Sequence, residues 1–312
     1  MSIFKKGLPV SVAILIAPFS AAAQQSISPT IDGIFSVSYG QSDVQGTDID
    51  KEAFMLDSKI SISDSFAIGL DADHINTSLD EDNDISVSRF QIEPTYHFGN
   101  NFYVGGFIQR ASIFFLDFNA SGLFAGFEGE KWSAEVYAGE SDMSVFYDGT
   151  SPDSSFHGVS VSYSASENLE IAAHVSQANL PDELTGGQHE LTSVAAFYNI
   201  GNGFSIHGAL EKFDSDATSG EAETSAIGVG YNFAEAGINM AGSFMLEAKQ
   251  VDNGFFKSDG LYASWVVPFG KQTAKPLDSA TRNSSGDIRT PFVAFLSQNP
   301  LLGLDNLLSP AL

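Results

Sequence analysis

His174-Val-Ser176 sets an imidazole and a hydroxyl on one face of any extended strand. Such a pair could serve as general base and nucleophile of an ester hydrolase. Acyl transfer also needs a third group to orient the imidazole, and the neighbouring sequence supplies none. Asp71, Asp73 and His74 hold the groups of an aspartate–histidine hydrolase, but alternation turns His74 away from the two carboxylates, so the three do not converge locally. The acidic clusters Asp80-Glu81-Asp82 with Asp84, and Asp214, Asp216 and Glu221, carry oxygen donors without the calcium-loop spacing. The chain therefore reads as a non-enzyme, with no catalytic residue, no metal site and no cofactor.

A different chemistry is spread along the whole chain. Asp57, Asp71, Asp73, Glu93, Glu135, Glu170, Glu211 and Glu247 all fall on the polar parity of alternating segments. Lys59 and Arg89 are the cations that clearly share that face, and His97, His174 and His207 are mostly neutral near pH 7. Wrapped into a tube, that face would form carboxylate rings around an aqueous path.

The elements that position these groups have period two. Ile31, Gly33, Phe35, Val37 and Tyr39 oppose Asp32, Ser36 and Ser38; Phe54, Leu56, Ile60 and Ile62 oppose Asp57, Lys59 and Ser61. The pattern recurs to Phe269, including Ile238/Met240/Phe244/Leu246, and predicts about fourteen strands, within a range of about twelve to sixteen, each of ~10 residues and long enough to cross a bilayer when tilted. Very short turns at Asp64-Ser65, Gly99-Asn101, Gly129-Glu130, Glu167-Asn168, Gly201-Gly203 and Glu235 alternate with longer polar stretches at 40–51, 76–84, 111–119, 140–156, 178–188, 212–222 and 248–256. That rhythm predicts an all-β, up-and-down antiparallel transmembrane barrel with turns at one rim and loops at the other. Phe66, Phe98, Phe102, Trp132, Phe204, Phe233 and Phe269 sit beside the short turns, where an interfacial girdle belongs.

Composition agrees. The chain has no Cys, which excludes a disulfide framework, and its net charge of −25 excludes nucleic acid as a partner. Yet 43% of residues are hydrophobic and 26 are Phe, too many for a disordered acidic chain. Lys5 and Lys6, an apolar stretch from Leu8 to Phe19 and Ala21-Ala22-Ala23 read as a cleavable export signal over 1–23. The barrel then covers 24–270. A tail over 271–312, broken by Pro276, Pro291, Pro300 and Pro310, reads as periplasmic, with a docking peptide or partial plug as alternatives.

Over roughly 27–270 the chain resembles the Gram-negative outer-membrane porins. The export signal, the amphipathic strands and the final segment Gly260-Leu-Tyr-Ala-Ser-Trp-Val-Val-Pro-Phe269 carry the resemblance. Typical trimeric members have sixteen strands and a long third loop folded into the lumen. This chain has fourteen, its third loop around Ile113–Phe118 is short and apolar, and it continues past Phe269. The resemblance implies passive diffusion of ions and small hydrophilic solutes. A substrate-specific or tail-gated transporter is the alternative, ahead of a lipase- or protease-type enzyme. Expected partners are outer-membrane lipid and lipopolysaccharide, bridged through divalent cations to the acidic loops, and further copies of the chain.

Overall fold

In a computed structural model, the structure describes residues 29–270 apart from positions 45, 81–82, 100, 114–115, 146–152, 181–186, 217–219, 253 and 255–256, and beyond them Arg289 and Val293. The export signal over 1–23 lies outside the described residues, as does the tail apart from those two positions.

Fourteen strands form one closed sheet. They are β1 (Thr30–Val44), β2 (Thr47–Ser63), β3 (Phe66–Asp80), β4 (Asn83–Phe98), β5 (Phe102–Ile113), β6 (Leu116–Glu128) and β7 (Trp132–Val145). There follow β8 (Asp153–Ser166), β9 (Leu169–Leu180), β10 (Gly187–Gly201), β11 (Phe204–Ser215), β12 (Gly220–Asn232), β13 (Ser243–Asp252) and β14 (Lys257–Phe269). Each is antiparallel to its sequence neighbours, and β1 pairs with β14 from Gly33↔Phe269 to Val44↔Ser258. Closure leaves no edge strand, which is what a sheet in lipid requires.

The two faces differ in chemistry. Ile108, Leu123, Leu210 and Ile227 point outward and are 65–73% exposed. Burying such a side chain is worth about 1.5–3 kcal/mol, so a whole barrel surface of them is stable only against lipid. Their strand neighbours, Gln109, Phe124, Ala209 and Ala226, point inward and are buried. Among the described residues no helix is long and apolar enough to cross a membrane; the strands do so. At the short-turn rim the outward rings touch one another across strands: Phe98–Phe102 at 6.2 Å, Phe102–Phe127 at 5.2 Å and Trp132 stacked on Tyr163 at 4.2 Å.

Two expectations need correction. The stretches read as long loops are mostly strand: β1 and β2 continue through 40–44 and 47–51, and strands run from ten residues in β13 to seventeen in β2. Likewise Phe118 belongs to β6 and is buried on the inward face. Conversely, Ile238 and Met240 are not in a strand. The chain from 233 to 242 is a ten-residue turn, closed by Phe233 N to Gly242 O at 3.2 Å and Ile238 N to Phe233 O at 2.8 Å, and β13 begins at Ser243.

Candidate functional site

The inward face is built from cross-strand rows, because paired residues in an antiparallel ladder share a face. One row runs Ile34, Asp57, Asp71, Gln91, Gln109 and Ala120; the next runs Ser36, Met55, Asp73, Arg89, Ala111 and Phe118. Further round, the row through Glu135 holds Ser160, His174, Ser193, Glu211 and Thr224.

Large rings are accommodated by cross-strand glycines. Tyr103 faces Gly126, Phe124 faces Gly105, Phe107 faces Gly122 and Tyr137 faces Gly158, and in each pair a Cβ on the glycine would strike the ring. The rings therefore lie along the wall between β5 and β8 and make a continuous aromatic surface.

Polar side chains on this wall form a connected chain. Arg89 Nε donates to Asp73 Oδ2 at 2.6 Å and its Nη1 to Gln91 Oε1 at 3.3 Å. Gln91 Nε2 donates to Glu93 Oε1, and to Asp71 Oδ2 at 3.5 Å. Glu93 in turn accepts from Arg289 Nη1. Glu135 Oε1 accepts from Arg289 Nε at 2.9 Å, while Tyr103 Oη donates to Glu135 Oε2 at 3.1 Å. The Arg289 guanidinium also lies over Phe124, with Cζ 4.4 Å from the ring centre, and near Phe107 at 5.2 Å. Burial pulls the Arg289 pKa down to about 10, with Asp71 opposing, so the group remains charged at neutral pH.

The other predicted residues are dispersed. Asp57 is half-buried in the Asp71 row, Lys59 is exposed beside Asp32, and Glu170 is half-buried opposite Phe197. Glu211 is buried. His207 Nε2 lies 3.2 Å from Glu247 Oε2. His174 Nε2 meets Tyr137 Oη at 2.8 Å, and Ser176 is buried two places along the same face. Exposed His74 bonds to Ser88 Oγ at 2.8 Å and stands on the face opposite Asp71 and Asp73. Of the acidic clusters, Asp84, Asp216 and Glu221 are exposed and Asp214 is half-buried.

Three inward cations were not anticipated. Lys51 and Lys249 fall in stretches read as loop, yet Lys51 lies over the Tyr262 ring at 5.7 Å and Lys249 is 6% exposed. Extending the period-two parity through Asp50-Lys51-Glu52 would have found Lys51. Arg289 has no such signal, because a tail carries no register.

A closed, antiparallel, fourteen-stranded barrel with an apolar exterior and an aromatic rim is the fold of the outer-membrane porins. No family model and no curated protein matches the sequence. Among solved structures, the chain is similar to an anion-selective porin from Comamonas acidovorans, with a TM-score of 0.53 at 10% identity, covering 78% of this chain and 99% of that one. It also matches a loop L8 deletion mutant of OmpT, an outer membrane protein of Vibrio cholerae, with a TM-score of 0.49 at 12% identity, covering 76% and 99%. At such identities the likeness is one of fold.

Proposed function

We propose that the barrel passes ions and small hydrophilic solutes across the outer membrane by diffusion, with a preference for cations. The carrying observation is the charge of the inward face. Among the described residues, the carboxylates Asp32, Asp57, Asp71, Asp73, Glu93, Glu128, Glu135, Glu170, Glu211 and Glu247 share the inward face with the cations Lys51, Lys59, Arg89, Lys249 and Arg289, a balance of five negative charges. A low-dielectric wall around an aqueous path strengthens such a field, so cations are concentrated and anions repelled. Selectivity belongs to the side chains rather than the barrel, so similarity in fold to an anion-selective porin does not transfer its preference. The test is a reversal potential across a potassium chloride gradient. The sign should be that of a cation-selective pore, weakening towards 1 M salt, where the Debye length is ~3 Å. An anion-selective potential would overturn the reading.

A second reading, a tail-gated channel, is favoured by one observation. Arg289 and Val293 are only 5% and 1% exposed, and Arg289 sits against the inward wall.

A further inference from the structure

We propose that Glu93 and Glu135, with the rings of Phe107, Phe124 and Tyr137, form a guanidinium-binding site, occupied at rest by the chain's own Arg289 and open to soluble alkylguanidinium cations once that arginine leaves. The inference rests on the proposed channel only for the ligand's route to the site.

The geometry selects a planar, forked cation. Glu93 comes from β4 and Glu135 from β7, with two strands between them, yet both reach the same side chain. Glu93 engages Nη1, while Glu135 Oε1 engages Nε and Nη2, both at 2.9 Å. The rings of Phe124, Phe107 and Tyr137 stand 4.4, 5.2 and 6.0 Å from Cζ. A guanidinium can bridge two carboxylates in its plane and present its faces to rings at the same time. An ammonium is a compact, strongly hydrated point charge and cannot do both.

The site is also built without Arg289. Tyr103 holds the second oxygen of Glu135, and Gln91 holds Glu93. Glycines at 105, 122 and 158 give Phe124, Phe107 and Tyr137 room to lie along the wall. All of these residues belong to the strands, so the pocket keeps its shape when its occupant leaves. Two carboxylates would then remain half-buried near each other, an arrangement that strongly favours a replacement cation. Arg289 reaches them from 196 and 154 residues away in sequence, as a tethered ligand that outcompetes free cations through its effective concentration.

The test is calorimetric titration of the detergent-solubilised full-length barrel with n-butylguanidinium, with n-pentylammonium as the comparison probe. Arg289→Ala should bind butylguanidinium at least roughly tenfold more tightly than the unsubstituted protein does. It should also prefer it roughly tenfold over pentylammonium. Adding Glu93→Gln and Glu135→Gln should abolish the signal. Circular dichroism and heat-dependent gel migration establish that each variant is folded, and Arg289→Gln keeps the polar bulk if the alanine variant fails to assemble. A folded Arg289 variant without binding, equal binding in the unsubstituted protein, or equal binding of pentylammonium would each overturn the proposal. So would failure of both variants to fold, which would make Arg289 a structural strut. Calorimetry in detergent needs no ion flow, so this result stands apart from the potassium chloride measurement.

Discussion

Arg89 Nε lies 2.6 Å from Asp73 Oδ2, and the two side chains are 0% and 5% exposed. They occupy paired positions on β3 and β4, so the backbone ladder holds the ion pair in register. Removing one member of a buried pair strands the other charge, at a cost of about 3–5 kcal/mol, whereas an exposed pair is worth about 0–1 kcal/mol. Arg89→Met should therefore lower the unfolding free energy in detergent by about 3 kcal/mol. Combining it with Asp73→Asn should recover most of the loss. A single-variant cost below about 1 kcal/mol would mean that water already reaches this pair.

Truncation after Lys271 removes Arg289 and Val293 but leaves β14, which ends at Phe269. The truncated barrel should still insert into membranes, because all fourteen ladders are retained. On the tail-gated reading its conductance in planar bilayers rises above that of the full chain. An unchanged conductance would count against gating, and loss of insertion would make the tail part of the fold.

Gly126 is expected to be intolerant of side chains, since Tyr103 lies where its Cβ would go. Gly126→Val should displace Tyr103 from Glu135 and destabilise the barrel by about 1–3 kcal/mol, the usual range for overpacking. Gly208 is the control: its added Cβ would approach nothing nearer than Ala226 O at 3.5 Å. Gly208→Ala should shift the denaturation midpoint far less, and equal shifts would refute the ring-over-glycine account.

The strand number and the facing of most strands were legible because lipid demands apolar side chains at every second position. The signal ended where the strands rise beyond the apolar band. Along 40–52 the alternation persists, but the outward residues become Asp43, Asp48, Asp50 and Glu52. Polarity on both faces then reads as loop, although the ladder continues unbroken from Val44↔Thr47. Lys51 and Lys249 were lost for that reason. The opposite error at Ile238 and Met240 has the same root: a turn at the interface carries apolar residues at alternate positions without pairing. The arrangement around Glu135 was half visible. Parity supplied the carboxylate, but nothing local in the sequence indicates that Arg289 meets it.

The seam between β1 and β14 bears on how the molecule comes to exist. Ser38 Oγ and Ser264 Oγ lie 2.8 Å apart across this seam, separated by 226 residues of chain. Until β14 arrives, β1 presents a full row of unpaired amides and carbonyls, an invitation to pair with any other strand. Contacts of such sequence separation form slowly, because loop entropy is lost before any ladder rewards it. A nascent chain released before Phe269 has cleared export therefore has no stable smaller barrel to adopt. Closure makes biogenesis all-or-none, with the last strand made acting as the latch, and leaves the waiting polypeptide dependent on being kept from its own kind in transit.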